Sequence, residues 1–316
     1  MENKIRVGIS ECLLGHSVRY DGGHKLNPYI TGILGQFFDF VYVCPEVECG
    51  LPVPREALNL NGDPSAPRMI TARSNIDHTE KMIRFCSTRI EDLKKENLCG
   101  FIFKSKSPSC GLYRIKVYQN SKSRFKSGRG LFAAALVQSF PLLPVEDEGR
   151  LNDPGLRENF IEKVFCCRRW KDFMSTNPDY KKLIDFHARH KLQLMSHSTK
   201  QLARLGKLVA AGKTMPADCL LSDYEINFVE ALSQKATVKK NVNVLHHIIG
   251  YFKKLISADE KEELLEIINH YALHQVPLIV PLTLINHYIR KYEVDYLGHQ
   301  TYLQPHPAEL MLRNHV

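Results

Sequence analysis

Short apolar runs alternate with helical stretches through the first half of the chain. Ile5 to Ile9, Phe40 to Val43 and Phe101 to Phe103 each read as a buried strand. A helix is expected around Asn27 to Phe37. A second is expected from about Asp77 to Asn97, where Met82, Ile83, Phe85, Cys86, Ile90 and Leu93 recur at close to 3.6 spacing and Asp77 and Glu80 suit a capping box. After the third strand, a helix or a strand pair reaches Leu143. Strands separated by helices imply right-handed crossovers, so this half predicts an α/β domain with a mostly parallel sheet.

The pattern changes near residue 148, in the polar, turn-rich segment Glu148-Gly149-Arg150-Leu151-Asn152-Asp153-Pro154. Beyond it, Leu183, Ile184, His187, Leu194 and Met195 recur at helical intervals, as do Val229, Leu232, Ala236 and then Val244, Ile248 and Tyr251. Pro277 and Pro281 are expected to break the later helices, and Pro305 and Pro307 precede a short apolar helix in the tail. The predicted architecture is an α/β domain over 1–150 followed by an all-α domain over 151–316.

Composition adds a bias rather than a class. The chain has 316 residues and a formal net charge of +9 spread over both halves, with no basic tail. That favours a polyanionic partner such as RNA, although solubility alone also accounts for such a charge. Nine cysteines, an odd number irregularly spaced, with no signal-peptide core or membrane span, point to a reducing cytosol rather than a disulfide framework.

The candidate chemistry follows the strands. Cys12, Cys44 and Cys110 each lie just past one of the three apolar runs. Open α/β sheets bind ligands beyond the carboxyl ends of their strands, so a parallel sheet would gather the three thiols on one edge and could hold a metal centre with an open position. Spacing alone leaves three occupants: an iron-sulfur cluster, zinc despite the lack of a C-x-x-C pair, or no metal at all, with ordinary buried thiols the commonest case. Cys49 shares a loop with Cys44 and competes as the second ligand. Cys86, Cys99, Cys166, Cys167 and Cys219 read as inert core cysteines.

Glu46 and Glu48 flank Val47, and in an extended segment both would face one ligand as proton donors or acceptors. Pairing with Arg19 or Arg55 is the plainer alternative. Lys104 to Gly111 offers hydroxyls, backbone N–H groups and two cations for an anion or a base edge, or simply a turn. Lys122 to Gly130 could contact phosphates or form a solvated loop. His187, His190 and His197 fall on or near one helix face. His246 and His247, with Lys239, Lys240, Asn241, Asn243, Tyr251 and Phe252 nearby, suit phosphate contact and base stacking. Histidines buried between helices are the more frequent case.

Ser10-Glu11-Cys12-Leu13-Leu14-Gly15, Val18-Arg19-Tyr20-Asp21-Gly22, Cys44-Pro45-Glu46, Gly50-Leu51-Pro52-Val53-Pro54-Arg55 and Ser107-Pro108-Ser109-Cys110-Gly111 resemble the thiouracil desulfidase (TudS) family over about the first 150 residues. Asp185 to Lys191, Asn243 to Phe252 and Tyr302 to Pro307 are similar to the YbgA-type helical domain, and the fusion resembles RudS-type proteins that remove sulfur from 4-thiouridine in tRNA. The resemblance implies a 4Fe-4S cluster with three cysteine ligands, Cys12, Cys44 and Cys110, and one open iron. It also implies catalytic Glu46 and Ser107, with Glu48 and Ser109 as close neighbours. A soft thiocarbonyl sulfur would bind the open iron, and water activated by Glu46 would attack the ring carbon with no net electron transfer. The expected substrate is a thiolated uracil, in tRNA or as a free base or nucleoside. The non-enzymatic alternative is an RNA-binding protein with a structural or sensing metal. The protein is expected in the cytoplasm, off the membrane, with no obligatory protein partner inferred.

Overall fold

The computed structural model describes residues 4–119 and 125–315, which divide into two compact units, one ending at Asp153 and the other beginning at Pro154. The first unit is α/β. Its strands and helices run β1 (Ile5–Ser10), β2 (Phe38–Val43), α1 (Pro45–Glu48), β3 (Leu58–Asn61), β4 (Arg68–Thr71), α2 (Thr79–Lys94), β5 (Phe101–Phe103), β6 (Ile115–Tyr118), β7 (Phe125–Gly128), α3 (Leu131–Ser139) and β8 (Val145–Asp147).

The principal sheet has the order β2-β1-β5-β8 and every pair in it is parallel. Registers Ser10↔Val43 and Phe103↔Asp147 bring the carboxyl ends of the strands to one edge. β5 is buried along its whole length, which is why it reads as an uninterrupted apolar run. Phe101 and Phe103 pack on Phe132 of α3 with ring centroids 5.9 and 6.3 Å apart. Burying Phe132 fully is worth about 2 to 3 kcal/mol. Met82, Cys86, Ile90 and Leu93 form the buried stripe of α2 on the same core. A second sheet, β4-β3-β6-β7, mixes parallel and antiparallel pairs.

One local expectation is corrected here and two are refined. The segment expected as a helix from Asn27 to Phe37 is helical from Tyr29 to Gln36, but as a widened π turn at Tyr29–Ile33 followed by a tightened 3-10 turn at Leu34–Gln36 rather than an α-helix. The capping box from Asp77 and Glu80 does not form. Helix α2 starts after His78 with no side-chain cap, because Asp77 is taken by Arg68 and by the amide of Thr79, 2.8 Å away. The segment left open as a helix or a strand pair contains both, β6–β7 and then α3.

The second unit is helical: α4 (Pro154–Ser175), α5 (Tyr180–His197), α6 (Thr199–Ala211), α7 (Ala217–Leu232), α8 (Val238–Phe252), α9 (Ala258–Ala272), α10 (Ile279–Lys291) and α11 (Asp295–Gly298). Polar caps set several starts. Asp179, Ser198 and Thr237 each accept from a backbone N–H three residues on, and Ser257 with Glu260 forms a full capping box. Pro281 does not break a helix: it is the third residue of α10, where its missing N–H would have had no partner in the helix. One core gathers around Trp170, Phe186 and Tyr224, another around Ile285, Tyr288 and Tyr302.

Candidate active site

Each of the three predicted cysteines is delivered by a different device. Cys12 sits in a tight turn, Glu11–Leu14, immediately after β1. Cys44 follows β2 and caps α1, its amide donating to Glu48 Oε1 at 2.8 Å. Cys110 arrives on the loop after β5. Ser107 Oγ accepts from the amides of Ser109 (3.3 Å) and Cys110 (3.1 Å), and Gly111 N donates to Ser107 O at 2.8 Å. The start of α3 holds that loop from the other side, with Phe132 N and Ala133 N donating to Ser109 O and Gly130 N to Gly111 O. The approach is so close that a Cβ on Gly130 would lie 2.4 Å from Ser109 O.

These elements enclose a cavity of about 380 Å³ at the carboxyl edge of the parallel sheet. Its lining includes Cys12, Cys44 and Cys110 together with Glu46, Ser107 and Ser109. A volume of this size suits a small-molecule ligand. Burial pushes the Cys12 thiol up to about 11, against the pull of the Lys104 ammonium, and the Cys44 thiol up to about 12. Cys110 is pushed well above the ordinary thiol value, chiefly by burial and further by the other two thiols facing it.

Glu46 is the buried acid of the cavity. Its Oε2 accepts from Arg55 Nε at 2.9 Å and from an Arg55 terminal nitrogen at 2.6 Å. Its Oε1 accepts from Ser109 Oγ at 2.7 Å. Ser109 Oγ lies 3.0 Å from Ser107 Oγ. An ionised carboxylate can only accept, so Ser109 gives its proton to Glu46 and Ser107 gives its own to Ser109. The result is a directed chain from Ser107 through Ser109 to Glu46. Lys104 and Ser105 of the lining are held by Glu148, which binds the Lys104 ammonium, the Ser105 amide (2.6 Å) and the Ser105 hydroxyl (2.8 Å). Ser10 Oγ accepts from Lys104 N at 2.8 Å, which ties β5 to the end of β1.

The structure separates the two glutamates that an extended segment would have aligned. Pro45 opens a helical turn, so Glu46 faces the cavity while Glu48 turns back to Cys44 N and to Arg89, 3.0 Å away. Burial raises the Glu48 carboxyl above the usual range. Cys49 packs into the hydrophobic core with Cys86 and is absent from the cavity lining, whereas Cys44 is part of it. The Arg55 pairing foreseen as the plain reading of the glutamates is present, and it occurs inside the cavity. Sequence reasoning missed Glu148 as the partner of Lys104 and Ser105; its position directly after β8 was the available signal.

The remaining candidates are dispersed. Part of the basic stretch Lys122 to Gly130 lies outside the described residues; within it, Arg129 Nε donates to Leu112 O at 3.2 Å. The histidines of α5 are structural. His190 Nδ1 meets Phe186 O at 2.8 Å, His187 meets the Tyr224 hydroxyl at 3.1 Å, and His197 meets Gln234 O at 2.6 Å beside the buried Glu162. His246 and His247 are exposed on α8, but Phe252, expected as a stacking ring, is fully buried. Tyr251 is instead stacked on Tyr296, centroids 5.1 Å apart.

The donor set fits the cluster implied by the resemblance. Three thiols from separate elements line one cavity, and among the described residues no fourth cysteine or histidine is in the lining. Among the described residues no three His, Cys, Asp or Glu side chains are grouped to hold a metal ion.

A parallel sheet with thiols and a clamped carboxylate along its carboxyl edge, followed by a helical unit, defines a protein of two units whose candidate site lies in the first. Residues 7–148 match the family described as 2-thiouracil desulfurase, and residues 191–307 match the one described as Protein of unknown function (DUF1722). The chain is 33% identical over 133 residues to the Escherichia coli (strain K12) protein described as Uncharacterized protein YbgA, an alignment that covers 42% of this chain and 79% of that one. It belongs to the YbgA family, with a 2-thiouracil desulfurase-like domain ahead of the YbgA-like region. Among solved structures, the [4Fe-4S]-dependent thiouracil desulfidase TudS is similar at 28% identity and a TM-score of 0.39, covering 48% of this chain and 95% of that one.

Proposed function

We propose that the protein is an iron-sulfur-dependent desulfidase that replaces the thiocarbonyl sulfur of a thiolated uracil with oxygen and releases hydrosulfide. The observation that carries this reading is the meeting of Cys12, Cys44, Cys110 and Glu46 in one cavity, within the region that matches the 2-thiouracil desulfurase family. In this reading the three thiolates hold a 4Fe-4S cluster with one open iron. The chemistry that group supplies when bound is polarisation of a soft C–S bond.

The chain's own residues supply the proton handling. Glu46 accepts a proton from the water that adds to the ring carbon and returns it as the sulfur departs. Ser109 holds Glu46 Oε1, and Ser107, which lines the cavity, extends the hydroxyl chain toward the substrate. Water in and hydrosulfide out balance the reaction without an oxidant or a reductant.

The substrate we favour is 4-thiouridine in tRNA. The net charge of +9 favours a polyanion, and α8 of the helical unit exposes Lys239, Asn243, His246 and His247. A cytoplasmic setting goes with a tRNA substrate and with nine free cysteines. Among the described residues no helix is long and apolar enough to cross a membrane.

The test is anaerobic purification followed by incubation with thiolated tRNA, 4-thiouridine and 2-thiouracil, with Cys110→Ala as control. The proposal expects iron in the wild type, loss of 4-thiouridine from tRNA, and neither in the control. Iron without loss of any thiolated base would sink the desulfidase reading. Turnover of the free bases alone would remove tRNA as the substrate.

A further inference from the structure

Arg55 is buried at the wall of the cavity, its side chain only 6% exposed. Two of its N–H groups converge on one oxygen, Glu46 Oε2. Others go to Val18 O at 3.0 Å and Pro52 O at 3.2 Å, and its own amide donates to Tyr20 O at 2.8 Å. The guanidinium therefore joins three segments: the turn that carries Glu46, the Val18–Tyr20 wall, and its own loop.

The two carboxylate oxygens of Glu46 are unequal as a consequence. A carboxylate oxygen has two acceptor sites. Oε2 has both filled by Arg55, while Oε1 accepts only from Ser109 among the described residues and keeps one site for the cavity. We infer that Arg55 is the positioning residue for Glu46: it occupies Oε2 and fixes the carboxylate plane so that the open lone pair of Oε1 receives the proton of the attacking water. The inference rests on the desulfidase reading and assigns Arg55 no contact with substrate. Lysine cannot reproduce the arrangement. An ammonium is a point charge on a flexible stem, without the planar fork that grips one oxygen while reaching two carbonyls.

The experiment compares Arg55→Lys, Glu46→Asp and the double variant in the full-length protein. Iron content, kcat and KM on the thiolated substrate that the wild type turns over, and thermal unfolding midpoint are measured for each. Arg55→Lys is expected to keep its iron and a KM within about threefold of wild type while kcat falls about ten- to hundredfold, the range for a lost charge-assisted hydrogen bond. Added to Glu46→Asp, it is expected to lower kcat by less than threefold more, and the midpoint changes of the two single variants should fail to add, because both break one contact. Wild-type kcat in Arg55→Lys, or additive losses in both kcat and midpoint, would overturn the assignment. An iron-loaded wild type that consumes none of thiolated tRNA, 4-thiouridine and 2-thiouracil overturns the desulfidase reading, and this inference with it.

Discussion

Replacing Ser109 with alanine removes the hydroxyl that links Ser107 to Glu46 and lies 3.9 Å from Cys110 Sγ. Ser109 is almost fully buried, and its proton goes to Glu46 Oε1 at 2.7 Å. A hydrogen bond to an ionised group in such a setting is worth about 1.5 to 3 kcal/mol. If Glu46 handles the proton of the attacking water, that energy bears on the transition state, and kcat should fall about ten- to hundredfold with KM little changed. Ser107→Ala perturbs a different link. Its oxygen caps the amides of Ser109 and Cys110, so its loss should cost about 1 kcal/mol of stability. It leaves the Ser109–Glu46 bond in place and should lower kcat less than Ser109→Ala does. The assay is anaerobic turnover of 4-thiouridine in tRNA at matched iron content, beside urea unfolding of each variant. Wild-type kcat in Ser109→Ala together with a collapse in Ser107→Ala would refute the directed chain, and would mean that Ser107 meets the substrate without Ser109 as intermediary.

Gly130→Ala should push the Cys110 loop off the start of α3, because the new Cβ meets backbone of Ser109 at 2.4 and 2.7 Å and Gly111 N at 2.9 Å. A loss of about 1 to 3 kcal/mol in unfolding free energy is expected, with reduced iron content; unchanged iron would show that the loop adapts. Cys44→Ser should abolish iron binding while Cys49→Ser retains it, as colorimetric iron analysis can establish, and the reverse pattern would exchange their roles. In the helical unit, burial and then Arg169 lower His190 to about 3. Below its ordinary value near 6.5 only the unfolded chain takes up that proton, so the contribution to stability is negative, growing as pH falls toward 3 and vanishing above 6.5. This amounts to roughly 2 kcal/mol at pH 5. Urea unfolding at pH 7 and pH 5 should show His190→Asn losing less than wild type on acidification, and equal losses would argue against a neutral buried ring.

The edge of the parallel sheet was legible because fully buried strands are continuous apolar runs and the reactive residues follow them directly, as Cys12 follows Ile5–Ser10 and Cys44 follows Phe38–Val43. The second sheet was not, because strands such as Leu58–Asn61 are short and half polar and are fixed by pairing with distant segments. Misreading Glu46 and Glu48 as neighbours on an extended face came from overlooking Pro45, which is at home in the first turn of a helix. The same local rule allows Pro281 at the start of α10. Asp77 carried the composition of a cap, but the stronger pairing with Arg68 claimed it, and no local pattern reveals a partner from another strand. Ser257 and Glu260 had the spacing of a capping box in plain view. Which serine touches Glu46 depends on the path of a loop held by α3, and spacing alone carries no such information.

The most direct test of the account is the stoichiometry of the iron-loaded protein acting on thiolated tRNA, with 4-thiouridine and 2-thiouracil in parallel, under anaerobic conditions with no added reductant. The account expects one uridine and one hydrosulfide for each 4-thiouridine consumed in tRNA, over many turnovers, and none from Cys110→Ala. Every thiolated base left intact by a protein that carries iron, or turnover that requires a reductant, would contradict it.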